Sequence, residues 1–375
     1  MKLHITLLIA FLSINLVHTQ EDSNSRAPNR IIEFPDIEGF RTLVCDFHQH
    51  SVFSDGSVWP SIRVEEALKD GVDVISITEH LEYQPHKHDI PHPDRNRAFE
   101  IATASAKNKD LLVINGSEIT RSMPPGHSNA IFVTDSNKLL DEDPISVFKE
   151  VKNQGGFVFW NHPNWIPHYK DGVAKLTEMH KNLIKENMLH GIEVVNAETY
   201  SEEALQIALE NDLAIMGTSD VHGLVDWQFK IAKGGHRPVT LVFAKEKSKE
   251  SVKEALFSNR TVVYFDNLLI GRAEYLIPLI SASLKITATK YLKNSTVLSV
   301  TFENSSDVDF LFKNNSNYTF HKHSDVFTIK SNATTTLDIK TLEILDSLSI
   351  SFEVMNAITA PQTNPEITFE IQTEK

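Results

Sequence analysis

The feature that most limits how this chain can fold lies between residues 42 and 265. Short β-branched runs alternate there with helical stretches, and run after run stops at a histidine, an aspartate or a glutamate. That alternation is the signature of an α/β fold with a mainly parallel sheet or barrel. In such folds the carboxyl ends of the strands share one face, and sites are built on it. A set of ligand-type residues placed at successive strand ends is therefore brought to a single rim.

The first strand, built on Thr42-Leu43-Val44, runs into Asp46-Phe47-His48-Gln49-His50. Side chains two apart on an extended segment point the same way, so both imidazoles can reach one ion. Asp55 sits in the turn beyond. A second strand (72–78) runs into Glu79-His80, and a third (111–114) into Gly116-Ser117-Glu118. His127 precedes a strand at 129–134, and the strand at 157–160 ends in Asn161-His162-Pro163. The strand at 214–217 ends in Ser219-Asp220-Val221-His222. Helices are expected at 64–69, 95–107, 144–153, 173–188, 201–211 and 247–258, and further strands at 192–195, 239–243 and 262–265. A lone His-x-His carries little weight. His48, His50, His80, Glu118, His162, Asp220 and His222 together point to multinuclear metal binding.

These residues, in this order, resemble the polymerase-and-histidinol-phosphatase (PHP) family over residues 44–265. The run Phe53-Ser54-Asp55-Gly56-Ser57-Val58-Trp59-Pro60 and the stretch Ile90-Pro91-His92-Pro93-Asp94-Arg95-Asn96 are similar to its secreted bacterial phosphodiesterase branch, called Sb-PDE-like. The resemblance implies a distorted (β/α)7 barrel with three divalent ions. His48, His50, Glu118 and Asp220 would hold the first, and Asp55, His80 and His222 the second. His127 and His162 would hold the third, with Glu118 as bridge. Imidazole and carboxylate without thiolate suit manganese, iron or zinc. The activity implied is hydrolysis of phosphoric diesters by a hydroxide bridging two ions. A PHP-type phosphomonoesterase, a noncatalytic metal-stabilised binding protein and an amidohydrolase-like deacylase stay open as alternatives.

Arg121, Tyr83 and His92 are candidates for contact with the substrate, from loops expected to overhang the barrel mouth. Trp160 and Trp227 read as packing residues. His168, His180, His190 and His236 lack a supporting motif, and His321-Lys322-His323 reads as surface.

Composition narrows the partners. Formal net charge is -14, from 36 basic and 50 acidic residues, which disfavours a nonspecific grip on nucleic-acid backbone. Cys45 is the one cysteine, so neither a disulfide framework nor a thiolate zinc cage is available. A small-molecule phosphoester is the expected partner, and self-association is left open. Lys2 followed by the apolar run 5–17 and Val17-His18-Thr19 reads as an export signal, too short for the ~20 residues of a membrane span. The expected layout is a signal peptide at 1–20, a polar segment at 21–40, the barrel at 41–278 and an accessory domain at 279–375. The product would be secreted or periplasmic, with no membrane anchor.

The accessory domain is inferred from a shift in composition. From Ser281 onward the chain has no glycine, arginine or tryptophan. Seven short alternating runs, at 284–289, 297–302, 309–312, 326–329, 335–339, 348–354 and 367–371, predict a small all-β sandwich.

Overall fold

The computed structural model describes residues 30–373. The expected signal peptide and the polar stretch 21–29 lie outside the described residues. The chain then forms β1 (Arg41–Asp46), α1 (Pro60–Lys69), β2 (Val74–Ile77), α2 (Arg97–Ser105), β3 (Leu112–Ile119) and β4 (Ser128–Ile131). Next come α3 (Pro144–Asn153), β5 (Phe157–Trp160), α4 (Glu178–Lys185), β6 (Gly191–Asn196), β7 (Thr199–Tyr200), α5 (Glu202–Glu210) and β8 (Ala214–Thr218). The unit closes with α6 (Val225–Gln228), β9 (Val239–Ala244), α7 (Lys249–Phe257), β10 (Thr261–Phe265), β11 (Leu268–Gly271) and α8 (Ala273–Ser283).

These strands make a distorted α/β barrel in the order β11-β10-β9-β1-β2-β3-β4-β5-β6, with β8 also paired to β6. The pairs β1–β2, β2–β3, β5–β6 and β6–β8 are parallel. By contrast β4 runs against β3 and β5, and β9 runs against β1 and β10. An apolar run reads the same in either direction, so the sequence could not announce these reversals. They matter for the site. The start of an antiparallel strand lies at the rim where its neighbours end, so the segment entering β4 delivers His127 beside Glu118.

Side chains of β1, β2, β3, β5, β8 and β9 meet in one apolar cluster that includes Cys45, Val74, Ile114, Phe159, Met216 and Val242. The barrel is only partly closed by ladder bonds. Where β8 faces β9, Thr240 Oγ1 donates to Gly217 O at 2.8 Å and accepts from Gly217 N at 3.0 Å. Glycine is required at 217 because an added Cβ would stand 2.3 Å from Val263 Cγ1.

Helix α4 is half the length expected. Thr177 caps it, accepting from the His180 backbone N–H while the His180 ring bonds back to the Thr177 N–H. Residues 173–177 are an extended approach to that cap.

The remaining strands are β12 (Leu284–Tyr291), β13 (Val297–Asn304), β14 (Phe310–Asn314), β15 (Thr319–Phe320), β16 (Val326–Ile329), β17 (Ala333–Lys340), β18 (Ser347–Val354), β19 (Ala357–Ile358) and β20 (Glu366–Gln372). They form two four-stranded sheets, β12-β13-β17-β15 and β16-β14-β18-β20, with Phe302, Phe310, Phe312 and Phe352 buried in the core. All seven runs expected from sequence are strands. The sandwich is welded to the barrel, because β19 extends the barrel sheet by pairing with β11. Asn356 Nδ2 also bridges Asn267 O and Asp309 O.

Among the described residues no helix is long and apolar enough to cross a membrane.

The Thr240 contact generates a stability prediction. Replacing Thr240 by valine keeps the shape but leaves the buried Gly217 N–H and C=O without their side-chain partner. Denaturant unfolding should show a loss of about 1–3 kcal/mol.

Candidate metal centre

His48 and His50 leave the end of β1 with their Nε2 atoms 3.0 Å apart, each 3.1 Å from Asp220 Oδ1. Both rings are oriented from behind. His48 Nδ1 lies 2.8 Å from Glu193 Oε1, a carboxylate that can only accept, so Nδ1 carries the proton. Ser54 gives its hydroxyl proton to Glu79 Oε2 at 2.5 Å, which leaves Ser54 Oγ to accept from His50 Nδ1 at 3.2 Å. Both Nε2 lone pairs therefore face Asp220. Two lone pairs and a carboxylate oxygen converging at 3 Å repel one another unless a cation or proton lies between them.

Three groups of side chains have this property. His48, His50 and Asp220 form one; His50, Asp55, His80 and His222 another; His80, Glu118 and His127 a third. In the second, Asp55 Oδ1 is 3.1 Å from His222 Nε2 and Asp55 Oδ2 is 3.3 Å from His80 Nε2. Gly56 lets this turn close, since a Cβ there would sit 2.7 Å from the His50 carbonyl carbon. In the third, Glu118 Oε2 is 2.6 Å from His80 Nδ1 and Oε1 is 3.0 Å from His127 Nδ1. His162, expected beside His127, places Nε2 3.4 Å from the same Glu118 Oε1.

The donors are imidazole and carboxylate alone. Among the described residues His162 Nδ1 is buried without a hydrogen bond, and the buried Asp55 Oδ1 and Glu118 Oε2 have none apart from the imidazoles just named. The set fits divalent ions.

The site's charges are strongly coupled. Burial pushes the Glu118 carboxyl up, but His80 and His48 outweigh it and hold it well below the usual carboxylate range. Asp220 behaves alike, with burial overcome by His48 and His50. Burial disfavours a charged His80, yet Glu118 and Asp55 prevail and push it up to about 10. His48 and His222 are raised in the same way, against burial, by Asp220 and Asp55 respectively. Buried His50, flanked by His80 and His222, falls to about 3.

Two positions at the rim have left-handed backbone, His162 (φ 29) and Asp220 (φ 47). Such conformations cost on the order of 1–3 kcal/mol and persist only where neighbours fix them. Glu193 Oε2 accepts from the His162 N–H at 2.6 Å, and Asn196 Nδ2 donates to Asp220 Oδ2 at 3.2 Å. Preceding Asp220, Ser219 gives both its N–H and its hydroxyl to Asp46.

The three substrate candidates land differently. Tyr83 stands at the mouth, 52% exposed, with its ring edge-on to His80 at 5.7 Å. The Arg121 guanidinium is spent on Glu82 at 2.8 Å and on the Asp141 and Glu142 carbonyls. His92 is buried, with Nε2 on Phe53 O at 2.7 Å, and does not line the cleft. Trp160 is buried and stacked on His180, whereas Trp227 is exposed and does not pack.

Sequence reasoning missed Glu193, which also receives Thr218 Oγ1 at 2.6 Å and Asn196 Nδ2 at 2.9 Å. Its signal was a single charge inside the apolar strand Gly191–Asn196. Asn161, donating to Glu118 Oε1 at 2.9 Å, and His168, 4.9 Å from the His127 ring, were missed too.

In the metal-free protein His80, pushed up to about 10, holds its proton at neutral pH, and His48 and His222 are shifted toward their protonated forms by Asp220 and Asp55. Loading with zinc or manganese should therefore release protons. Calorimetric titration in buffers of different ionisation enthalpy should show net release at pH 7 and weaker binding as pH falls. Buffer-independent heats would contradict this.

A family model described as an Ig-like domain matches residues 284–370, the stretch that forms the sandwich. No curated protein matches the chain. Among solved structures, it is similar to a two-domain protein from Bacteroides vulgatus described as containing a predicted PHP-like metal-dependent phosphoesterase. The identity is 41%, with 91% of this chain and 98% of that one covered and a TM-score of 0.85. It is also similar to PsfC from Pseudomonas syringae, at 16% identity, with 60% and 92% covered and a TM-score of 0.42. An amidohydrolase from Chromobacterium violaceum matches at 13% identity, with 48% and 87% covered and a TM-score of 0.35. The last two likenesses are too slight to support any argument. The first spans both domains at high identity, and with the three ligand groups at the rim it places this chain in the PHP family of metal-dependent phosphoesterases.

Proposed function

We propose that the protein is a secreted phosphodiesterase of the Sb-PDE-like branch, with His48, His50, Asp55, His80, Glu118, His127, His162, Asp220 and His222 as ligands to three divalent ions. One observation supports diesters over monoesters. The cleft over the ligands, ≈ 430 Å³, has no lysine or arginine in its lining. A dianionic monoester is ordinarily met by guanidinium or ammonium groups. The single charge of a diester asks for no cation beyond the ions themselves. The motif stretches 53–60 and 90–96 support the branch, and the apolar run 5–17 supports export.

Divalent ions bound here supply Lewis acidity, and hydroxide at neutral pH. The chain supplies position. Glu193 and Ser54 hold His48 and His50 as neutral Nε2 donors. Asn196 keeps Asp220 turned toward both. Glu118 spans the first and third groups and sets their separation. Trp165 and Tyr83 narrow the mouth.

The test is hydrolysis of bis(p-nitrophenyl) phosphate beside p-nitrophenyl phosphate after reconstitution with manganese, iron or zinc. Diester turnover should exceed monoester turnover, and Asp220→Ala should lower it by at least about a hundredfold, since even outer partners of a metal site are worth 10- to 100-fold. Preference for the monoester would overturn the diester reading.

A further inference from the structure

The metal cleft does not end at its own wall. Thr120, His127 and Trp165 line it and also line a second cavity of ≈ 470 Å³ on their far side. The two spaces share these three residues, so whatever is held over the ligands can extend an arm past them. A phosphoric diester has such an arm, and the following rests on that reading.

The second cavity has a distinct chemistry. Met123, Trp165 and Pro167 supply its apolar surface, and Thr120, Arg121, Ser122, His127 and His168 supply the larger polar share. Trp165 is 43% exposed and is braced by three rings, His162 at 5.2 Å, His127 at 5.3 Å and His168 at 4.8 Å, all edge-on or tilted. Nothing stacks parallel on it among the described residues. Its orientation is fixed, so little entropy is lost when a partner binds.

The opposite wall is also rigid. Gly126 (φ 80) folds the loop so tightly that a Cβ would stand 2.5 Å from Met123 Sδ. His180 Nε2 holds Pro125 O at 2.7 Å, and Arg121 braces the loop against Glu82 and the Asp141 and Glu142 carbonyls. Arg121 is thus a strut of this wall. With its charge met by Glu82, the cavity carries no unpaired guanidinium, so it is not built for a second anion.

We infer that this cavity is a subsite for one ester arm of the substrate, and that the arm it selects carries a planar ring, an aryl group or a nucleobase, packed on Trp165. A rigid, half-exposed indole with Met123 and Pro167 beside it and polar side chains around them suits a flat heterocycle with polar edges better than an alkyl chain. Trp165 then determines specificity without taking part in bond cleavage.

The test uses two monoanionic diester analogues in which carbon replaces both ester oxygens, so that neither has a leaving group: benzyl(methyl)phosphinate, the phenyl analogue, and ethyl(methyl)phosphinate, titrated calorimetrically into the metal-loaded full chain. The phenyl analogue should bind the wild type about tenfold tighter or more, the scale of one ring stacking. Trp165→Ala should bring the ratio of the two affinities close to one, and Trp165→Phe should restore most of it. Equal affinities in the wild type, or the same ratio in Trp165→Ala, would overturn the subsite. If neither analogue binds the loaded protein, the diester reading itself falls and the subsite with it. If diesters are hydrolysed yet the ratio is one, the subsite alone falls.

Discussion

A single buried carboxylate, Glu118, faces five imidazoles. Its oxygens lie 3.7 Å or less from His48, His50, His80, His127 and His162, which arrive from four different segments of the chain. Such a density of like donors is stable only if positive charge is shared among them, as protons or as metal ions. The barrel's form follows from serving that point. β3 carries Glu118 inside its last turn of pleat, and β2 and β4 flank it. The bridge between His80 and Glu118 extends the β2–β3 register to the rim.

Around this centre a second layer of carboxylates aims the first. Glu193 grips His48, the His162 backbone, Thr218 and Asn196, and so ties β5, β6 and β8 to the β1 histidines. Asp46 does the same for the β8 exit through Ser219, and its own charge is met by the fully buried Arg237 at 3.2 Å. Arg237 also reaches Asp70 at 2.7 Å. Arg63, buried as well, binds the carbonyls of His50, Val221 and Gly223 and so fixes the two motif loops against each other. Each of these groups, if left unpaired in the interior, would cost several kcal/mol. They hold the ligand geometry in place because their partners are spoken for. The sandwich is joined to this frame through the β11–β19 pairing and the Asn267–Asn356 contact.

Most of the centre is legible in the chain itself, and the reason is local. A residue at the end of an apolar run is at a strand end whichever way the strand points, so His48, Glu118, His162 and Asp220 were legible. Strand direction was not, because pleat periodicity has no polarity. The antiparallel placement of β4, β9 and β10 therefore appeared only in the fold, and with it the way His127 enters the rim. The resemblance sets His127 and His162 on one ion with Glu118, and both rings lie at Glu118 Oε1, 3.0 and 3.4 Å away, while His80 meets the other oxygen. Arg121 and His92 are, in the sequence, candidates for contact with the substrate. Their actual partners, Glu82 and the Phe53 carbonyl, lie 39 positions away in each case and leave no trace in local sequence. Glu193 was missed for the opposite reason, since it is the single charge in a strand whose other residues are apolar up to its last position, Asn196.

The central claim is that Glu118 organises three ions over this rim. The most direct measurement is anomalous diffraction from crystals of the full chain loaded with manganese or zinc. The account predicts three peaks, one at each ligand group, with Glu118 contacting at least one of them directly. A single peak elsewhere, or Glu118 turned away from every ion, would contradict it.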